Sequence, residues 1–444
     1  MAKLMMGWMA AVLLTAASPA AAVTRCVQTG SWECYISIQI AVNLSAPGDV
    51  VEVRAGTYFE NVYIEPRRVG VQIVGPMSGA PAIVDASSKS DERIIHNEPG
   101  FTVVAPGVVL RDLSIYNGAS DGIRVEAPNV VVERVTILNP RHVGIRIPPG
   151  VAGARLLSNS ISGAGTGIDI QGPDALVDGN QVSASGRGII VERGDRVALT
   201  KNVISGGERG IEVQGESPLI KGNRLSNLWD VGIYVRDSGD PVVEGNDVRN
   251  TTRPIVLSCA RCQNAAVATN EIVNSPGLGI HAIASDAGLE VRGNTVQNGV
   301  GGGLRVQGDD VQVEGNRVYD SGFEDDRYVS PCVWVSGNRN VVRSNSVTRC
   351  AATGVDVDGA TAYVATNVVL DSYNVGFRVR GQDMQLVSNR ARTTSREGFR
   401  NEATALGVSY DHNTATSALT GFCDNGSGTR LGSNAFESVG TCMF

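Results

Sequence analysis

Between Gly210 and Val231 apolar and polar residues alternate in short bursts: Ile211 and Val213 against Glu212 and Gln214, then Leu219 and Ile220, then Leu225. A period of two predicts short strands buried on one face only. Gly222 and Asn223 separate the second burst from the third, and both residue types tolerate left-handed backbone and turn a chain sharply. Three strands and three turns in about 22 residues are too little to close a core alone, so each unit must stack on copies of itself.

Such copies run almost to the C-terminus. Gly opens them at 100, 122, 144, 167, 188, 210, 232, 279, 303, 354, 376, 398 and 421, with Pro254 and Cys332 standing in twice. From the coil opened by Gly144 onward an asparagine follows the opener in every unit, from Asn159 through Asn223 and Asn316 to Asn434. Stacked asparagines at a turn can bond to the backbone and to one another, so the row reads as scaffold. Some sixteen turns at about 4.8 Å each predict a rod of about 75 Å.

Ahead of the repeats, YISIQIAVNL predicts a short amphipathic helix with Ile36, Ile40, Ala41 and Leu44 on its buried face, covering the open end of the stack. Then Pro47-Gly48-Asp49 and Gly56 punctuate strands at Val50 to Val53 and Val62 to Ile64. Ile38-Gln39-Ile40-Ala41, followed by Pro47-Gly48-Asp49 through Gly56-Thr57-Tyr58 to Glu60 and Ile64, resembles the N-terminal cap and first coil of secreted right-handed parallel β-helix proteins of the pectate-lyase-like superfamily. The resemblance covers almost the whole mature chain. It implies an all-β, right-handed parallel β-helix with a helical N-terminal cap, and the family's uronate chemistry, which includes pectate lyases and alginate C5-epimerases. The chain departs from specific family patterns: the nearest string to Asp-Pro-His is Asn139-Pro140-Arg141-His142, and neither Arg-x-Pro-x-x-Arg, Asn-Thr-Asp nor Gly-His-Gly occurs.

Composition narrows the setting. Lys3, an apolar run from Leu4 to Ala17 and Ala20-Ala21-Ala22 read as an export signal over residues 1–22, too short for the roughly 20 residues that span a bilayer. Residues 23–64 then form the cap and first coil, and 65–444 continue the same domain. Removing Lys3 takes the net charge from -7 to -8, which argues against nucleic acid or an anionic membrane as partner and gives no reason for membrane insertion of the mature chain. Eight cysteines in an exported chain suggest disulfides, with Cys26/Cys34, Cys332/Cys350 and Cys423/Cys442 close enough for local staples. Cys259 and Cys262 have no second pair at zinc spacing, which favours a tight disulfide over metal. The cations of the mature chain are nearly all Arg, with only Lys89, Lys201 and Lys221 as exceptions.

Alternation places the second residue after each opener on the outer face. In the middle of that row stand Tyr234, His281, Arg305, Trp334 and Asp356, with Arg236 and Asp358 two residues further along their strands. Trp229 and Asp230 in a turn, and an insertion from Ser321 to Pro331, flank the row and suggest a groove. Removing a proton beside a sugar carboxylate needs a cation for the carboxylate, a base and an acid. Arg305 or Arg236 can neutralise, His281 can act as base, and Tyr234 can donate a proton. Trp334, Arg236, Asp356, Trp229 and Asp230 are the candidate substrate-binding residues. No metal ligands are assigned, calcium being conceivable only through the run Glu324 to Asp326. His96, His142 and His412 read as surface or locally satisfied side chains. Arg378, Arg380, Arg390, Arg392, Arg396 and Arg400 form a C-terminal basic patch, either gripping an acidic glycan or paired with Glu397 and Glu402. The expectation is a monomeric exported protein, secreted, periplasmic or on the cell surface, acting on an acidic polysaccharide by β-elimination or C5 epimerisation. The competing class is a non-catalytic glycan-binding or surface-structural β-helix.

Overall fold

The computed structural model describes residues 21–87, 98–183, 186–259, 262, 264–285, 288–324, 329–392, 394–440 and 442. Residues 1–20 of the expected export signal, His96, Asp325 and Asp326 lie outside the described residues. In the coil opened by Gly210 the strands are Arg209–Gln214, Leu219–Lys221 and Arg224–Ser226. Each pairs in parallel with its counterpart one coil on: Ile211 with Ile233, Ile220 with Val243, Leu225 with Val248. Repetition builds three long parallel sheets, here called front, side and rear, of which the side sheet has 18 strands. The stack is longer than sixteen turns because Thr24–Val27 adds a strand ahead of the first coil and Gln72–Val74 adds one between that coil and the coil opened by Gly100. At about 4.8 Å per strand it is about 80 Å long.

Inside, like residues stack on like. Ile211, Ile233, Ile255 and Ile280 form one column with no exposed surface, each worth about 1.5–3 kcal/mol of burial. The opening glycine sits where the rear strand hands over to the front strand. A Cβ on Gly210 would lie 2.3 Å from Leu225 Cδ2 and 2.7 Å from the Gly232 carbonyl oxygen, so only glycine fits. At the C-terminal end aromatics close the core, with Phe377 stacked on Phe399 at 4.8 Å and Phe422 on Phe436 at 5.3 Å.

The asparagine row is a continuous ladder. Asn202 Oδ1 accepts from both the backbone N–H and Nδ2 of Asn180, at 3.0 Å each, while Asn202 Nδ2 donates to the Val177 carbonyl. The same double bond to the next Oδ1 links each asparagine to its successor from Asn159 to Asn434. Left-handed backbone was expected of Gly222 and Asn223 alike. It belongs to the preceding residue alone: Gly222 has φ 65°, Lys201 φ 53° and His412 φ 53°. His412 is an exposed turn residue whose Nδ1 lies 2.9 Å from Asp411.

A second device repeats at other left-handed turns, where an Asp in one coil faces an Arg in the next. Arg134 forks over Asp112, Arg196 over Asp174, Arg339 over Asp310 and Arg349 over Asp320. A planar guanidinium can span both carboxylate oxygens across one coil spacing, which an ammonium cannot. This gives a structural use to the preference for Arg over Lys.

The N-terminal helix, Ile38–Leu44, presents a different face from the one expected. Ile38, Ala41 and Val42 are buried, whereas Ile36, Ile40 and Leu44 are 63%, 45% and 53% exposed. Its rotation is set from outside: Glu60 accepts hydrogen bonds from Ser37 Oγ, Ile38 N and Gln39 N, pinning the first turn to the first coil. Asp49 likewise accepts from Val23 N and Ala46 N, and Tyr58 Oη donates to the Arg54 carbonyl. The cap motif therefore consists of hydrogen-bond pins. Four disulfides form, Cys26–Cys34, Cys259–Cys262, Cys332–Cys350 and Cys423–Cys442. No described helix is long and apolar enough to cross a membrane.

Candidate functional site

The outward row on the front sheet is in continuous register. Glu212 pairs with Tyr234, Tyr234 with Val256, Val256 with His281, His281 with Arg305, Arg305 with Trp334, Trp334 with Asp356 and Asp356 with Arg378. Side chains that lie 22 or more residues apart in sequence are thus neighbours about 5 Å apart. Two clefts open along this row, and they divide the candidates between them.

The larger cleft, about 330 Å³, is lined by Arg305, Trp334, Asp356, Arg378 and Arg380, with Leu278, Gly301, Leu304, Ser330 and Pro331 as its wall. Ser330 and Pro331 end the insertion, whose strands Phe323–Glu324 and Val329–Ser330 pair antiparallel. The Arg305 guanidinium carbon lies 4.2 Å from the centre of the Trp334 ring, a cation–π stack, and its Nε is buried without a hydrogen-bond partner. From the other side Arg378 and Arg380 reach back one coil and both donate to Asp356 Oδ2, Arg378 Nε at 3.0 Å and Arg380 Nη2 at 2.9 Å. Asp356 has no exposed surface, and its Oδ1 is buried and unpartnered. Burial pushes the Asp356 carboxyl up, against the downward pull of both arginines.

The smaller cleft, about 250 Å³, is lined by Arg209, Val231, Tyr234, Arg253, Val256, Ser258, His281 and Ile283. Tyr234 and His281 share it, but with Val256 between them. Burial holds the His281 imidazole below its ordinary value, the Arg305 charge adds to the effect, and a Gln307 contact opposes it. His281 is therefore a neutral imidazole at pH 7, with Nε2 buried and unpartnered. The two clefts share no lining residue and lie side by side, His281 of the smaller being in register with Arg305 of the larger.

The remaining candidates have other occupations. Arg236 Nε lies 3.5 Å from Glu212, towards the N-terminal side. Asp230 pairs with Arg253 and Arg209. Trp229 is 66% exposed in its turn and lines neither cleft. Asp358 lies 3.8 Å from Arg380. The C-terminal basic patch is split: Arg378 and Arg380 serve Asp356, Arg400 pairs with Glu402 and Glu397, and Arg390 and Arg392 lie on the rear sheet. His142 is exposed. Among the described residues no group of three or more His, Cys, Asp or Glu side chains is placed to hold a metal ion.

Arg209 and Arg253 were missed by reading the outward row alone. Both precede an opener, and that position forms its own register: Arg187 with Arg209, Arg209 with Val231, Val231 with Arg253. The same position explains the earlier part of the face. Asp121, just before Gly122, is fully buried and holds Arg124 at 3.0 Å and Arg146 at 2.9 Å, while Arg146 also reaches Asp169 at 2.8 Å.

A sequence model described as the right handed beta helix region matches residues 166–318 and 279–436. No curated protein sequence matches the chain. Among solved structures the chain is similar to a Streptococcus pneumoniae surface protein and adhesin, PfbA (11% identity, TM-score 0.45, 84% of this chain and 95% of that one). It is also similar to a PL6 alginate lyase in complex with a trisaccharide (11%, TM-score 0.41, 90% and 87%) and to pectate lyase Pel9A (13%, TM-score 0.40, 67% and 80%). At these identities and scores the likenesses carry nothing about chemistry.

Proposed function

The chain belongs to the right-handed β-helix family, and from that premise we propose that it acts on an acidic extracellular or envelope polysaccharide by β-elimination where its two clefts lie side by side. One observation carries the reading: a neutral, half-buried His281 stands in register beside Arg305, whose guanidinium lies over Trp334 at the mouth of the larger cleft. Arg305 offers the charge that stabilises the carboxylate of a bound uronate and the enolate that forms from it. The His281 imidazole takes the proton from the carbon next to that carboxylate. The electron pair forms a carbon–carbon double bond, the bond to the neighbouring glycosidic oxygen breaks, and that oxygen leaves with the proton returned by the His281 imidazolium or given by water.

Elimination is favoured over C5 epimerisation because epimerisation needs an acid on the opposite face of the sugar ring. Tyr234, the sequence candidate for an acid on the departing oxygen or on the opposite face, is separated from His281 by the Val256 coil, whereas elimination can run with the proton His281 has taken. Four disulfides suit an oxidising compartment, which supports a setting outside the cytoplasm. The test follows absorbance of unsaturated ends when the full mature chain meets a panel of polyuronates. His281→Ala is expected to lower the rate about 10²–10⁴-fold. An unchanged rate in that variant would show that the site lies elsewhere, and silence of the wild type on every polyuronate would leave the non-catalytic glycan-binding class.

A further inference from the structure

The larger cleft holds three guanidiniums against one carboxylate, and they come from opposite directions. Arg305 leans one coil towards the C-terminus, onto Trp334, while Arg378 and Arg380 lean one coil towards the N-terminus, onto Asp356. Backbones three coils apart, about 14 Å, thus bring their charges to within about one coil spacing around a single aromatic face. The arrangement is fixed. Trp334 carries one guanidinium over its ring, and a fully buried carboxylate fastens the other two through a single oxygen. Counting Asp358, which lies 3.8 Å from Arg380 Nε just outside the lining, the positive excess is one charge. Arg305 Nε is buried without a hydrogen-bond partner, so the built network leaves a donor over.

We infer that Arg305, Arg378 and Arg380, held in place by Trp334 and Asp356, form a double-oxyanion clamp for a glycan segment that carries two negative groups about one coil spacing apart. The ligand class is a run of consecutive acidic sugars or a sugar segment bearing two sulfate esters. The inference rests on the polysaccharide reading above and adds to it the charge spacing that the site selects. Asp356 acts here as a positioning residue: its charge opposes an anionic ligand, yet its two ion pairs keep the forks from spreading into solvent.

The experiment is calorimetric titration of the full mature chain with three probes: a uronate trisaccharide, its methyl ester, and a neutral trisaccharide carrying two sulfate esters. The charged probes are expected to bind at least about tenfold tighter than the ester, one charge-assisted contact being worth about that factor. Arg378→Gln and Arg380→Lys should each remove about that factor for charged probes and leave the ester unaffected, the lysine because it keeps the charge and loses the fork. Asp356→Asn discriminates by sign. A clamp loses affinity and selectivity when its fastening goes, although the cleft gains a positive charge, whereas simple attraction would strengthen. Tighter binding of charged probes by Asp356→Asn, or equal wild-type binding of ester and acid, overturns the clamp while leaving glycan binding standing. Failure of wild type to bind any of the three overturns the polysaccharide reading and the clamp with it. The ratio between the uronate and sulfate probes identifies which oxyanion the site prefers.

Discussion

Two stretches of the front sheet use the same residue types to opposite ends. Around Gly122 and Gly144 two arginines and two aspartates alternate across the coils, and every charge meets its partner: Arg124 and Arg146 on Asp121, Arg146 again on Asp169. Around Trp334 two arginines converge on one buried aspartate, a third lies over the indole ring, a neutral histidine stands beside them, and the Arg305 Nε donor is left without an acceptor. The first stretch is a closed ledger of charge and the second is open. Outward arginines alone do not mark a site, because the solenoid uses them as bolts between coils along much of its length. What marks a site is imbalance at a place where the surface is also concave.

Four substitutions or measurements press on this contrast. Arg305→Ala should lower the rate of unsaturated-end formation about 10²–10³-fold, whereas Arg146→Ala on the balanced stretch should leave it unchanged; equal losses would erase the distinction. Asp121→Ala opens the balanced stretch, strands the partly exposed Arg124 and leaves Arg146 with Asp169 alone, so denaturant melts should show a loss of about 1–3 kcal/mol. Trp334→Ala removes the platform under Arg305 and should weaken glycan binding about tenfold with little change in melting temperature. The smallest effect concerns acidity. The folded pKa of His281 is depressed, so its contribution to stability is complete above the ordinary histidine value and is lost as pH falls from there towards the depressed one. Magnetic-resonance titration of Arg305→Gln should move that pKa upwards, because one of its causes is gone.

Much of this was legible in the sequence because a repeat converts position into geometry. Once the openers were found, the register of Tyr234, Val256, His281, Arg305, Trp334 and Asp356 followed, and the sheet pairing agrees with it residue by residue. The asparagine ladder was legible for the same reason. The helix face was not: Ile36, Ile40 and Leu44 have good helical spacing, but Glu60, some twenty residues away, decides how the helix is turned. The partners of Asp356 were hidden by a related cause. Alternation says that Arg378 and Arg380 point outward, while which way along the rod a long side chain then leans depends on charges one coil away. Arg209, Arg253 and Asp121 escaped because they precede the opener, where the period of two carries no instruction about facing.

The asparagine ladder also has a direction. Each Oδ1 receives two donors from the coil before it, and each coil offers its own backbone N–H and Nδ2 to the coil after it. A stack that is complete up to Asn180 therefore ends in two waiting donors set at the place where the carboxamide of Asn202 must arrive. At its C-terminal edge the finished part is a template of donors for the unfinished part. A chain emerging N-terminus first into the space where it folds meets its template in the order in which it is delivered, much as a crystal lengthens by adding units to one prepared face.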